Sequence, residues 1–202
     1  MSTMDLDGRQ RRLVVGVIVL VTLLLVATFG GLLALTAATG ESSTQTVAAT
    51  SWAGERLTEP DELVVHVATS DLTSEALGDG VVEGLQTRGK SVTVVDELDD
   101  GFDQPVLIIA VDRAHFDRGL TTRTATIDVA FYYSTEGNVE QWQKYRAGEP
   151  LVLEGPSGVV TGEVTHQDRT RGLTTTARYR ASVHDAIVAE ILDNYRGALD
   201  QP

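Results

Sequence analysis

The sequence predicts an α+β domain with two helices on one face of a mainly antiparallel sheet, preceded by one N-terminal transmembrane helix. Three observations predict it. Leu13 to Leu35 is a run of 23 residues without a charged side chain. Residues 124 to 133 alternate strictly between two faces. Two later segments, 72–85 and 183–191, each carry a single apolar stripe at helical spacing.

The apolar run makes a helix of about 35 Å, enough to cross a hydrocarbon core of about 30 Å. Arg9, Arg11 and Arg12 stand just before it, and Glu41 and Glu55 are the first charges after it. Basic residues beside a span favour the cytoplasmic side. Residues 1–12 are therefore expected in the cytoplasm, 13–35 in the lipid bilayer, and the rest outside. A cleaved signal peptide is the rival reading, but its apolar region usually spans about 7–15 residues. No A-x-A cleavage site follows, and Thr36-Ala37-Ala38 is the nearest substitute. Within the run Ala27 and Gly31, and Gly30 and Ala34, recur at four-residue steps. Such small residues let two membrane helices approach and self-associate, although they are also common in any membrane helix.

Two of the 29 acids (Asp5, Asp7) and three of the 16 bases precede the span. That leaves 27 acids against 13 bases, a net charge of −14, with Lys90 and Lys144 the only lysines. Acid-rich, lysine-poor chains resemble those of salt-adapted proteins, in which salt screens the self-repulsion. No basic run is visible, so nucleic acid is not expected as a partner. There is no cysteine, which excludes disulfides, thiolate metal sites and cysteine nucleophiles.

Residues 36–60 are rich in Thr, Ser and Ala and read as a tether, with a domain over 61–200. The first strand is predicted at Leu63 to Ala68. Asp71 reads as an N-cap, Leu72, Ala76, Val81 and Leu85 as one helical face, and Gly89 as the stop. Strands follow at Ser91 to Val95 and at Val106 to Val111, the latter continuously apolar and so central. In the alternating segment Ala125, Ile127, Val129, Phe131 and Tyr133 point to the core. Val139 to Arg146 reads as a short helical turn. A strand pair is expected at Val159 to Gln167 and Leu173 to Arg180, around a turn at Asp168 to Gly172. A last helix is capped by Ser182 and Asp185, with Val183, Ile187 and Ile191 as its stripe. This element order resembles that of small envelope lipoprotein domains that help to assemble larger complexes. The resemblance is one of order alone.

Candidate sites are few. Asp96, Glu97, Asp99, Asp100 and Asp103 crowd one segment and suggest a hard cation such as calcium, but Leu98 and Leu107 fall where an EF-hand loop needs oxygen ligands. A solvated acidic loop is the plainer account. Of the four scattered histidines, His115, near Asp112, Arg113 and Asp117, is the best placed for catalysis. Gly78-Asp79-Gly80 with Gly84 has the wrong spacing for a dinucleotide loop and lies inside a predicted helix, where close packing explains it better. Gly155-Pro156-Ser157-Gly158 lacks the last glycine of a nucleophile elbow. Tyr132, Trp142 and Tyr145 are candidates for a partner surface. No cofactor is expected. The sequence therefore reads as an envelope interaction or assembly module with a protein partner. The alternative is an extracytoplasmic hydrolase or metal-dependent enzyme.

Overall fold

The structure is a computed structural model and describes residues 42–53, 57, 59–68, 71–99, 102–119, 121–151, 158–172 and 174–200. The apolar run at 13–35, with Ala27, Gly30, Gly31 and Ala34, lies outside the described residues. Among those described, no helix is long and apolar enough to cross a membrane.

The domain is α+β, with three helices and a six-stranded mixed sheet. In chain order it comprises β1 (Ser42–Ala53), β2 (Glu62–Val67), α1 (Leu72–Thr87), β3 (Ser91–Val95), β4 (Val106–Arg118), β5 (Thr122–Ser134), α2 (Val139–Arg146), β6 (Val159–Arg171) and α3 (Thr176–Leu199). Across the sheet the strands run β1-β6-β5-β4-β2-β3. The first four of these pair antiparallel, whereas β2 lies parallel to both β4 and β3. The parallel end follows from α1, because a helix between two neighbouring strands returns the chain in the same direction.

Local chemistry sets each element. The Asp71 carboxylate accepts the N–H groups of Thr73 and Ser74 at 2.8 and 2.9 Å, which starts α1. Leu77, Val81 and Leu85 are fully buried at four-residue steps, and Gly89 at φ +82° ends the helix. The stripe of α3 runs Tyr179, Val183, Ile187, Ile191 and Tyr195, all buried. Helices α1 and α3 cover one face of the sheet, over Leu107, Ile109, Ile127, Val129, Phe131 and Tyr133. Each such side chain contributes about 1.5–3 kcal/mol when fully buried. The helices approach closely because Gly80 and Gly84 of α1 face Val188 and Leu192 of α3. A Cβ there would fall 2.8 and 2.4 Å from those side chains. The glycines at 78, 80 and 84 are thus a packing seam, with Gly78 against Val67 of β2.

Four readings change. Residues 42–53, expected within the tether, form β1, paired along its whole length with β6. Threonine and valine favour strands, and β6 supplies the partner that composition does not reveal. The strand expected at Leu173 to Arg180 is absent over its described residues, 174–180, and 176–180 begin α3. Thr175 caps α3 by accepting the Arg178 N–H at 3.3 Å, ahead of the expected Ser182 cap. The reason is tertiary: Tyr179 extends the apolar stripe by one more step and is 3% exposed. One long strand, β6, replaces the expected strand pair. Finally, α2 lies on the face opposite α1 and α3. There it closes a second core of Val64, Ile108, Ala130, Tyr132 and Trp142, flanked by Leu98 and Phe102.

Candidate functional site

The four antiparallel strands are 12 or 13 residues long, more than α2 can cover. Cross-strand register defines the rows of the uncovered face. His115, Thr126, Gln167 and Gln45 form one row, and Arg113, Asp128, Thr165 and Val47 form the next. His115 stands here, exposed, with its Nε2 3.4 Å from the Asp117 carboxylate. It lines none of the cavities described below. The Arg113 guanidinium lies 2.6 Å from Asp128. A bulge between Val111 and Arg113 leaves Asp112 without a cross-strand partner. The Asp112 carboxylate instead accepts a two-pronged hydrogen bond from Arg146 at the end of α2, and this contact holds the arginine's charged form.

The other expected site residues are dispersed. Asp96, Asp99 and Asp103 are exposed on the segment between β3 and β4, and Asp100 lies outside the described residues. Among the described residues no three or more acidic or histidine side chains are grouped to hold a metal ion. The segment is fixed by Leu98 and Phe102, which pack into the second core. Tyr132 is fully buried and Trp142 is 9% exposed, with ring centroids 5.8 Å apart. The Tyr132 hydroxyl donates to the Asn138 carbonyl at 2.9 Å, and burial pushes its pKa up to about 12. Tyr145 is half-buried beside Trp142, and burial followed by the nearby Glu163 carboxylate pushes its hydroxyl up to about 12. Tyr132 and Trp142 are core rather than an open surface, because α2 lays Trp142 over Tyr132, and Tyr145 packs at the margin of that core.

A different group comes together at the outer edge of the sheet. Thr44, Thr46, Ala48 and Thr50 share the helix-covered face of β1. The Thr44 hydroxyl donates to Asp168 Oδ1 at 2.7 Å, and the Thr170 hydroxyl donates to Oδ2 at 3.0 Å. Thr46 Oγ1 lies 2.9 Å from His166 Nδ1, and Thr50 donates to Asn194 of α3 at 3.1 Å. His166 is 1% exposed, and burial lowers its pKa against the opposing pull of Asp168 and Glu190. Hydroxyls, an imidazole and a carboxylate thus clamp β1 where the inner strands use aliphatic contacts. The far side of β1 carries no further strand among the described residues. From Ser42 to Ala53 it contains no charged residue and no proline. Sequence reasoning missed this edge because hydroxyl-rich composition suits a tether equally well. The alternation of Thr44, Thr46, Ala48 and Thr50 was the available signal.

Two cavities lie elsewhere. One of about 650 Å³ is lined by Leu57, Glu59, Arg88, Lys90, Arg196 and Asp200 among others. Its cations are already engaged: Lys90 with Glu59 and Asp61 at 3.5 and 3.6 Å, Arg88 with Asp193 at 3.6 Å, and Arg196 with Asp200 at 3.5 Å. The other, about 330 Å³, lies between α1 and β3 over Val65, Val67, Val82 and Val94, with Glu75, Asp79 and Asp96 at its rim.

No protein-family model matches the chain, and no curated protein matches it. Among solved structures, it is similar to the PelC dodecamer from Paraburkholderia phytofirmans, with 16% identity, a TM-score of 0.41, and coverage of 75% of this chain and 97% of that one. It is also similar to lipoprotein GNA1162 from Neisseria meningitidis, with 10% identity, a TM-score of 0.34, and coverage of 66% of this chain and 99% of that one. These overlaps are partial, and nothing of either protein's assembly transfers to this chain.

Proposed function

We propose that this protein is an interaction module of the cell envelope, whose β1 edge accepts an extended strand from a protein partner. The observation that carries this reading is the character of β1: twelve residues, an unpaired outer side among the described residues, and no charge. Exposed sheet edges are normally blunted by lysine, proline or shortness, because a free row of backbone donors and acceptors recruits another strand. This edge carries none of those devices in a domain otherwise dense in charge. A partner strand would find backbone hydrogen bonds along the edge and the exposed Val47 at its centre, 55% accessible. The run Leu13 to Leu35, with arginines on its N-terminal side, supports a place at the outer face of a membrane.

The test is co-purification from detergent-solubilised membranes, comparing wild type with Val47→Lys and Ala49→Lys. Both residues are exposed, so the variants should fold and keep their thermal midpoint. Recovery of a stoichiometric partner should fall by about tenfold or more in the variants, an apparent loss of roughly 1.4 kcal/mol. Recovery of this chain alone, or equal recovery from wild type and variants, removes the proposal.

A further inference from the structure

At the tip of the long strands, a cavity of about 430 Å³ opens between the β4–β5 turn and the β6–α3 connection. Among the described residues it is lined by Arg118, Gly119, Arg123, Gly172 and Thr174 to Thr176, and this lining contains no acid. The Gly172 N–H donates to the Thr121 carbonyl at 2.9 Å and ties the two loops together, and Gly172 sits at φ +133°, a conformation that favours glycine.

Two features of this cavity lack an internal explanation. Arg118 and Arg123 are direct cross-strand partners, so two guanidinium groups face the same cavity. Like charges directly opposite one another on a sheet are destabilising. In addition, Nε and Nη1 of Arg123 are buried and have no hydrogen-bond partner. Charged donors withdrawn from water without an acceptor are costly. An anion in the cavity offsets the like-charge opposition directly, and its field favours the Arg123 charge although Nε and Nη1 themselves lie too deep to touch it. The first residues of α3 also line it, and a helix start of this length adds backbone donors and partial positive charge. The surroundings agree in sign. Arg169, Arg171, Arg178 and Arg180 belong to the adjoining elements, and residues 169–184 include no acid in a chain of net charge −13. Two acids at this end are already engaged: Asp168 with Thr44 and Thr170, and Asp117 with His115.

We infer that this cavity binds a phosphate group. The exposed Arg118 guanidinium fork, the second positive charge of Arg123, threonine hydroxyls and helix N–H groups match several oxygens around one centre better than the two of a carboxylate. A volume of about 430 Å³ also leaves room for an ester substituent beside the phosphate. Free phosphate and a lipid headgroup share this chemistry. The inference stands independently of the β1 edge, which is formed by other residues.

The test is isothermal titration of the full-length protein in an uncharged maltoside detergent with sodium phosphate, at ionic strength held constant with chloride. Saturable binding is expected, with a Kd of about 1 mM or tighter. Arg118→Gln and Arg123→Gln should each weaken it by about tenfold or more. Arg118 is exposed, so its variant should fold, and far-UV circular dichroism checks the Arg123 variant. Arg180→Gln, which removes a cation stacked on Phe116 outside the lining, should leave the Kd within about twofold. A second titration with monomeric dihexanoyl-phosphatidylglycerol identifies the source. Tighter binding than inorganic phosphate points to a lipid headgroup, and weaker binding to soluble phosphate. The site is overturned by the absence of saturable heat with both probes, by an Arg118→Gln variant that binds as wild type, or by an equal loss in Arg180→Gln, which would show only a diffuse field.

Discussion

On the helix-covered side of β5, Ala125, Ile127, Val129, Phe131 and Tyr133 are all buried. On the other side Ala130 and Tyr132 are buried, while Thr124, Thr126 and Asp128 are only half-covered. One face is a continuous core beneath α1 and α3. The other is divided, apolar where α2, Leu98 and Phe102 lie over it and polar toward the strand tips. The strands therefore serve two purposes along their length. Near α2 they are packed on both sides, like strands in a layered interior. Toward the tips they are packed on one side only and offer water a row of threonines, glutamines and charges. The two proposed recognition features lie at the margins of this arrangement: the β1 edge at the rim of the sheet, and the arginine cavity at the strand tips beside the start of α3.

The largest test of this division is Trp142→Ala. If α2 closes a true second core, the loss of this side chain should destabilise the protein by about 3–5 kcal/mol in urea unfolding. If Trp142 were a surface group, the change should stay within about 0.5 kcal/mol. A pair of neighbours in β5 sharpens the same comparison at smaller size. Ile127→Ala, on the covered face, should cost about 2–5 kcal/mol. Thr126→Ala, one residue away on the uncovered face, should cost less than about 0.5 kcal/mol. A large loss at Thr126 would mean that the uncovered face is packed against something else.

The covered face was legible in the sequence. Alternation through residues 124–133 reports burial directly, because one side of the strand meets only apolar neighbours. In α1 the expected face was right at Val81 and Leu85 and wrong at its start: Leu72, in the first turn, is 81% exposed, and Leu77 takes the buried place instead. The Asp71 cap was legible for a similarly local reason. The divided face was not. Trp142 and Tyr132 carry no periodic signal that separates a core from an exposed aromatic patch, and only the placement of α2 decides. The edge strand was hidden because Thr44, Thr46 and Thr50 bury hydroxyls rather than methylenes, each matched by a distant acceptor: Asp168, His166 or Asn194. The basic tip was hidden for a third reason. Arg118 and Arg123 sit opposite one another only once the hairpin forms, and the remaining arginines arrive from β6 and α3. Net charge averages this asymmetry away. The stretch from 169 to 184, with four arginines and no acid, was the trace of it in the sequence.

The smallest expected effect concerns how β1 is held. His166 is buried, and that burial, opposed by Asp168 and Glu190, lowers its pKa below the ordinary 6.5. His184 is lowered in the same direction, first by burial and then by Arg180. In the unfolded chain both imidazoles take up protons near pH 6.5, whereas in the folded domain they resist protonation until lower pH. Between those values the unfolded state binds more protons, so stability falls as pH drops. Unfolding between pH 8 and pH 5 should therefore show a denaturant midpoint that declines below about pH 6.5. His166→Asn should flatten part of that decline, with the remainder belonging to His184. Because His166 meets Thr46, acid should also lower the amide-exchange protection factors of residues 44–50, measured against the intrinsic rate at each pH, ahead of those in the central strands β4 and β5. Protection in β1 that stays level across this range would mean that the β6 backbone ladder alone holds the edge, and that the threonine clamp contributes register rather than stability.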